Sequence, residues 1–178
     1  LGVTPELIIQ KCRTQGSGYN WNSWFTGLTN SQYINLNSDA AVATSSNLWG
    51  TNATVATDSV FRVGTGGTGV NGGAGETHIA YLFATAAGVS KVGTYSGTGS
   101  AQDIDCGFSA GARFILIKRT DTAVFGTHWL YWDTERGIVA GNDPYLFLDL
   151  GAAQNSSGDY IDPLASGFTI TSDAPAFM

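Results

Sequence analysis

Two short apolar runs decide the fold class of this chain. Residues 113–118 have the sequence RFILIK, and residues 6–11 have the similar sequence ELIIQK. Each run is short, contains β-branched residues and ends in a base, which is typical of a strand buried at its centre. We therefore predict one strand over residues 7–11 and another over residues 114–118.

The sequence around these runs is also repeated, in the same order. The matched landmarks are Trp21 and Trp24 with Trp129 and Trp132, residues 33–37 with 145–149, and residues 59–63 with 166–170. Several landmarks in one order are the signature of an internal repeat. We therefore predict two tandem related repeats, over residues 1–87 and 88–178.

Composition favours an all-β protein and excludes two classes of partner. Charged residues make up 12% of the 178 residues, while Gly is present 24 times. Such a chain suits an antiparallel β-sandwich with many tight turns and little or no helix. The net charge of −6 argues against a nucleic-acid partner. No apolar run is long enough for membrane insertion.

A glycine-rich segment between the repeats, residues 64–75, leads into a predicted strand over 79–84 that should close the first repeat. A strand predicted over Val89–Tyr95 should then open the second. On this division, the first repeat lacks its opening strand and the second lacks its closing strand. Such gaps expose strand edges that can accept a strand from elsewhere.

Two arrangements would fill these gaps. Either the natural polypeptide continues on both sides, or subunits complete one another head to tail and build a filament. The residues predicted to form assembly or core strands are Leu7, Ile9, Ile79, Tyr81, Phe83, Phe114 and Leu116.

Several of these segments resemble a repeat domain found in structural proteins of marine and freshwater phages. The similar segments are residues 2–11, 79–84, 88–99, 114–121, 132–137 and 167–170. The resemblance implies a lectin-like β-sandwich repeated along a tail, tail-fibre or other virion-exposed protein, with other virion proteins as partners. In that family the array normally continues past Pro175 into another apolar strand, which this sequence lacks. The resemblance brings no catalytic motif.

Few residues suggest chemistry. The glycine-rich segment lacks the Lys of a phosphate-binding loop, and His78 and His128 lie in predicted strands, where packing roles are expected. We therefore predict no enzyme activity and no cofactor. Asp103 and Asp105 would point the same way from an extended segment, and they are weak candidates for a Ca²⁺ site. Whether Cys12 and Cys106 form a disulfide stays open.

The alternative function is glycan binding. Aromatic rings beside amide side chains are how many lectins hold sugars. Trp49, which has no Trp counterpart in the second repeat, is a better candidate ring than the repeated tryptophans, although burial in the core is the favoured role for it. Asn52 and Asn155 are the accompanying candidates, and both also fit the N-glycosylation pattern.

The sequence thus predicts a non-enzymatic structural protein of a phage tail fibre or an extracellular filament. It would assemble with copies of itself through strand edges and apolar faces, in a virion or outside the cell. The alternative is a lectin-like module for attachment to a surface glycan. A glycan-degrading enzyme is a weaker third hypothesis.

Overall fold

The computed structural model describes residues 2–14, 18–51, 54–65, 69–121 and 127–175. Within these ranges the chain is all-β, with about a third of it (31%) in strands and no helix. It follows that these ranges contain no helix able to cross a membrane. The strands are β1 (Leu7–Cys12), β2 (Asn22–Phe25), β3 (Gln32–Asn35), β4 (Ala43–Thr44), β5 (His78–Phe83), β6 (Gln102–Asp105), β7 (Phe114–Ile117), β8 (Leu130–Asp133), β9 (Leu146–Phe147), β10 (Ile161–Leu164) and β11 (Gly167–Ile170).

The first half of the chain forms one antiparallel sheet with the strand order β4-β3-β2-β1-β5. β1 lies between β2 and β5, with Ile8 opposite Trp24 on one side and Leu82 on the other. Directly opposed residues point to the same face of a sheet, so these three side chains share a face. The strands predicted over residues 7–11 and 79–84 are confirmed as β1 and β5.

The second half forms two three-stranded antiparallel sheets, β10-β11-β6 and β7-β8-β9. In β7–β8 the register sets Ile115 opposite Trp132. The strand predicted over residues 114–118 is confirmed as β7.

The strand predicted over Val89–Tyr95 is wrong. Instead, a turn is closed at its start by backbone bonds in both directions between Ala86 and Ser90, each 3.0 Å long. The first two residues of the predicted strand therefore belong to a turn, and Val89 is 79% exposed. The first strand of this half is β6, which pairs with β11.

Apolar side chains form two separate clusters. The first is Ile8, Trp24, Leu48, Trp49, Val55, Ala56 and Val70. The second, which draws on both sheets of the second half, is Ala112, Ile115, Ile117, Leu130, Trp132, Tyr145, Ile161, Phe168 and Ile170. Each cluster contains one of the two repeated apolar runs and the Trp opposite it.

Several polar contacts join the two halves near the end of β3. Trp129 Nε1 donates to the carbonyl oxygen of Asn35 at 2.9 Å, and Lys118 Nζ donates to that of Asp39 at 2.9 Å. The backbone N–H of Val42 donates to the carbonyl oxygen of Thr120 at 3.2 Å. The segment after β3 is therefore held against the segments on either side of residues 122–126.

Candidate functional site

The outer strand of the five-stranded sheet carries an exposed apolar row. On β5, Ile79, Tyr81 and Phe83 alternate with less exposed residues and are 37%, 46% and 47% exposed. The ring of Tyr81 stacks on that of Trp21 with centroids 6.3 Å apart. Among the described residues β5 pairs with β1 only, so its other edge offers backbone N–H and C=O groups to a further strand.

A second open edge lies on β7, in the second half. Within the described ranges β7 pairs with β8 only. Ile115 and Ile117 point into the core, whereas Phe114 is 60% exposed and Leu116 is half-buried. The Phe114 ring lies 6.0 Å from that of Tyr131, so the exposed face beside this edge is aromatic.

The two edges belong to strands that differ in what covers them. β1 has β5 on the side away from β2, with Leu7 opposite Phe83 and Ile9 opposite Tyr81. β7 has no such neighbour on the side away from β8 among the described residues. The residues of β7 that the repeat aligns with Leu7 and Ile9 are Phe114 and Leu116. No described strand lies beside these two residues on the side where β5 lies beside Leu7 and Ile9.

Side-chain contacts near β1 and β7 also correspond. The backbone N–H of Trp21 donates to Asn37 Oδ1 at 2.9 Å, and the backbone N–H of Trp129 donates to Asp149 Oδ1 at 3.1 Å. These are positions that the predicted repeat aligns, and the Asp149 carboxylate also lies 3.1 Å from His128 Nδ1.

The lysines at the ends of the two strands correspond in the same way. Lys11 Nζ donates to the carbonyl oxygen of Tyr19 at 2.5 Å, and Lys118 Nζ donates to that of Thr127. Lys118 has the second acceptor on Asp39, described above. Partial burial lowers the pKa of Lys118 below its ordinary value, with opposing effects from the Asp149 and Asp39 charges.

The predicted glycan contacts do not come together. Trp49 is completely buried in the first cluster, so no face of its ring is open to a sugar. Asn155 lies in the other half, where its Oδ1 accepts hydrogen bonds from the N–H and Oγ of Ser157 at 2.9 and 2.7 Å. Asn52 lies outside the described residues.

The Asp103 and Asp105 side chains are both exposed and lie on the same face of β6, as the period of a strand predicts. Each is engaged within the protein. Asp103 Oδ1 accepts from Thr169 Oγ1 at 2.7 Å, and Asp105 Oδ1 accepts from the Gly107 N–H at 2.8 Å.

A different group of residues brings metal-ligating atoms together. Cys12, Glu76 and His78 each place one such atom within 4.8 Å of the others. The sequence predicts a packing role for His78 and leaves open only whether Cys12 is in a disulfide. The cluster depends on the register that sets Cys12 opposite His78, and this long-range pairing has no local sequence signal. Cys12 and Cys106 are both free thiols.

An open cleft of about 410 Å³ lies beside β2 and β3. Its lining residues are Gly18, Tyr19, Asn20, Asn22, Tyr33, Ser45 and Leu48. The sequence does not predict this cleft, because its walls come from three separate segments.

Comparison with known proteins gives a family but no characterised relative. No curated protein matches the chain, and no solved structure matches it. One family model, described as a domain of unknown function, matches residues 1–177. The chain therefore belongs to the DUF7483 family.

Proposed function

We propose that this protein is a non-enzymatic structural subunit made of two related β-sandwich units, residues 1–87 and 88–178. Its copies join through strand edges into a filament outside the cell or on a virion. The observation that carries the proposal is the open edge of β7, beside an apolar face, at the position where β1 is covered by β5.

The correspondence of contacts supports two related units. The Ile8–Trp24 and Ile115–Trp132 rungs align, and so do the lysine-to-carbonyl bonds of Lys11 and Lys118. Strand register and side-chain bonding at the aligned positions add to the sequence match in support of the repeat. The separate apolar clusters support a division between the units.

The composition of the edges supports joining of copies. β5 already pairs with β1 through six residues, and β7 is the strand that resembles β1. The free edge of β5 in one copy therefore suits β7 of another. With Tyr81 opposite Leu116, Phe83 lies opposite Phe114, and the two exposed apolar rows become neighbours.

This contact uses a different surface on each partner. Copies joined in this way add head to tail, and the assembly grows as an open chain unless the rotation between copies closes it into a ring. A structural filament needs this property. The assignment to a phage fibre is supported by the resemblance of the repeated segments to phage structural proteins.

Sedimentation velocity over a concentration series, with electron microscopy of negatively stained samples, tests the proposal. We expect growing linear assemblies for the natural sequence. Leu116→Lys and Tyr81→Lys should each shift the protein to monomers, because a charge would be buried in the joint. Val89→Lys is the matched control, because Val89 is exposed and lies outside both edges.

Monomers of the natural sequence at every concentration would overturn the proposal. Assemblies that survive both edge variants would also overturn it. Circular dichroism of each variant establishes that its strands are retained.

The cleft near β2 and β3 favours glycan binding as the second candidate function. Tyr19 and Tyr33 supply rings, and Asn20 supplies an amide, the combination that sugar sites use. Saturable binding on a glycan array that Tyr33→Ala abolishes would support this function, and absence of binding would remove it.

A further inference from the structure

We propose that Cys12, Glu76 and His78 form a binding site for a zinc-type transition-metal ion that fastens β1 to β5. The proposal is independent of filament formation. It rests on the arrangement of three different ligand types, contributed by β1, by β5 and by the residues just before β5.

The register of β1 and β5 creates the core of the site. Cys12 is the last residue of β1 and His78 the first of β5, and the two are direct antiparallel partners. Their side chains therefore share a face of the sheet. Glu76 precedes β5, and its Oε2 accepts a hydrogen bond from the Gly72 N–H at 3.1 Å. The same oxygen is the one that lies 3.6 Å from His78 Nε2.

Distances and burial suit a bound ion. The three ligand atoms lie within 4.8 Å of one another, and His78 Nε2 lies 3.6 Å from Glu76 Oε2. Bonds of about 2.0–2.3 Å to zinc place tetrahedral ligand atoms roughly 3.5 Å apart. Small side-chain movements are therefore enough. Cys12 is 1% exposed and the His78 side chain 24% exposed, so the site is sheltered yet reachable from solvent.

The chemistry of the ligands selects the ion. A thiolate, an imidazole and a carboxylate together suit zinc and its neighbours, whereas Ca²⁺ and Mg²⁺ prefer oxygen ligands alone. Three protein ligands leave the fourth tetrahedral position to water. Binding displaces the proton of the Cys12 thiol into solvent and leaves the imidazole neutral, because zinc ligands bind deprotonated.

A buried amide beside the site supplies an outer contact. Gln10 is 2% exposed, and its Nε2 lies 2.7 Å from His78 Nδ1 and 3.0 Å from the carbonyl oxygen of Gly69. Its Oε1 is buried and has no hydrogen-bond partner in the described part of the chain. A metal on Nε2 moves the imidazole proton to Nδ1. A half-turn of the Gln10 amide then presents Oε1 to that proton, in exchange for the Nε2 bond to the Gly69 carbonyl oxygen, and gives the outer contact common for metal-bound histidines.

The test is titration of the reduced, chelator-treated full chain with Zn²⁺ in a calorimeter. A parallel titration with Co²⁺ follows the thiolate-to-metal absorption band. We expect one ion per chain, a cobalt spectrum showing one thiolate, and a higher melting temperature with Zn²⁺. His78→Gln and Cys12→Ser should each weaken Zn²⁺ binding by about a hundredfold or more, exceeding the loss typical of outer-contact changes.

The chain offers its own matched controls. Cys106→Ser removes its other cysteine and His128→Gln its other histidine, and both should bind Zn²⁺ as the natural sequence does. Because Cys12 is buried, Cys12→Ser could fail to fold, and in that case His78→Gln and Glu76→Gln decide the question. Absence of one-to-one Zn²⁺ binding would overturn the proposal. So would equal losses in the site variants and the controls.

Discussion

β1 and β7 have the same local sequence pattern, but they differ in the strands that lie beside them. Both are short apolar runs that end beside a lysine, and each sets an isoleucine opposite a tryptophan. β1 is covered on both sides, and its Ile9 is 8% exposed. The aligned Leu116 of β7 is half-buried, and Phe114 is 60% exposed. The same local pattern thus forms the same strand, whereas the neighbour it meets depends on the rest of the chain.

Replacing the tryptophan of either apolar cluster should destabilise the half that contains it. Trp132 is completely buried, and Trp132→Ala should cost about 3–5 kcal/mol of unfolding free energy through lost contacts and a cavity. Trp24→Ala is its counterpart in the first half. Hydrogen exchange should show lost protection in β7 and β8 for Trp132→Ala, and in β1 and β2 for Trp24→Ala. Equal loss in both halves for either variant would show that the clusters unfold as one.

A smaller effect distinguishes the two lysines. Lys118 Nζ donates to the carbonyl oxygens of Thr127 and Asp39, so it also joins the halves, whereas Lys11 Nζ donates to Tyr19 alone among the bonds described. Lys118→Met should therefore cost about 1–3 kcal/mol, and Lys11→Met less. Denaturant unfolding of the two variants measures the difference. Equal costs would mean that the Asp39 contact contributes nothing to the joint.

The third comparison is the pH dependence that Asp143 gives to the second half. Burial raises the pKa of Asp143 from 3.8 to about 6, against the lowering effect of hydrogen bonds from the N–H groups of Val139 and Ile161. The folded state thus favours the protonated form. The stability gained from protonation is fully present below the unfolded pKa and is lost as pH rises through about 6.

Melting temperatures between pH 4 and pH 7 measure this dependence. We expect the contribution of Asp143 to lower the melting temperature by a few degrees as pH rises across about that range. The aligned position in the first half is Ser31, which does not titrate there. Asp143→Asn is the control, and it should flatten the curve. A curve that is unchanged in Asp143→Asn would contradict the assignment to this carboxyl.

The sequence predicts where the strands lie better than it predicts which strands and side chains they contact. The apolar runs at 7–11 and 114–118 identify β1 and β7, because burial at a strand centre leaves a local pattern. The strand expected over Val89–Tyr95 does not form. Its first two residues belong to the turn that the Ala86–Ser90 bonds close. The Cys12–His78 pairing joins residues far apart in sequence, so composition and spacing give no sign of it. The core role favoured for Trp49 agrees with its complete burial.

Disulfide trapping measures whether β5 of one copy pairs with β7 of another. Tyr81→Cys and Leu116→Cys are made separately in a Cys106→Ser background, in which the remaining Cys12 is buried. The two proteins carry different mass tags, and they are mixed and oxidised. We predict a cross-linked heterodimer in the mixture and little dimer in either protein alone. Assemblies that form without this cross-link, or dimers formed equally by each protein alone, would contradict the claim.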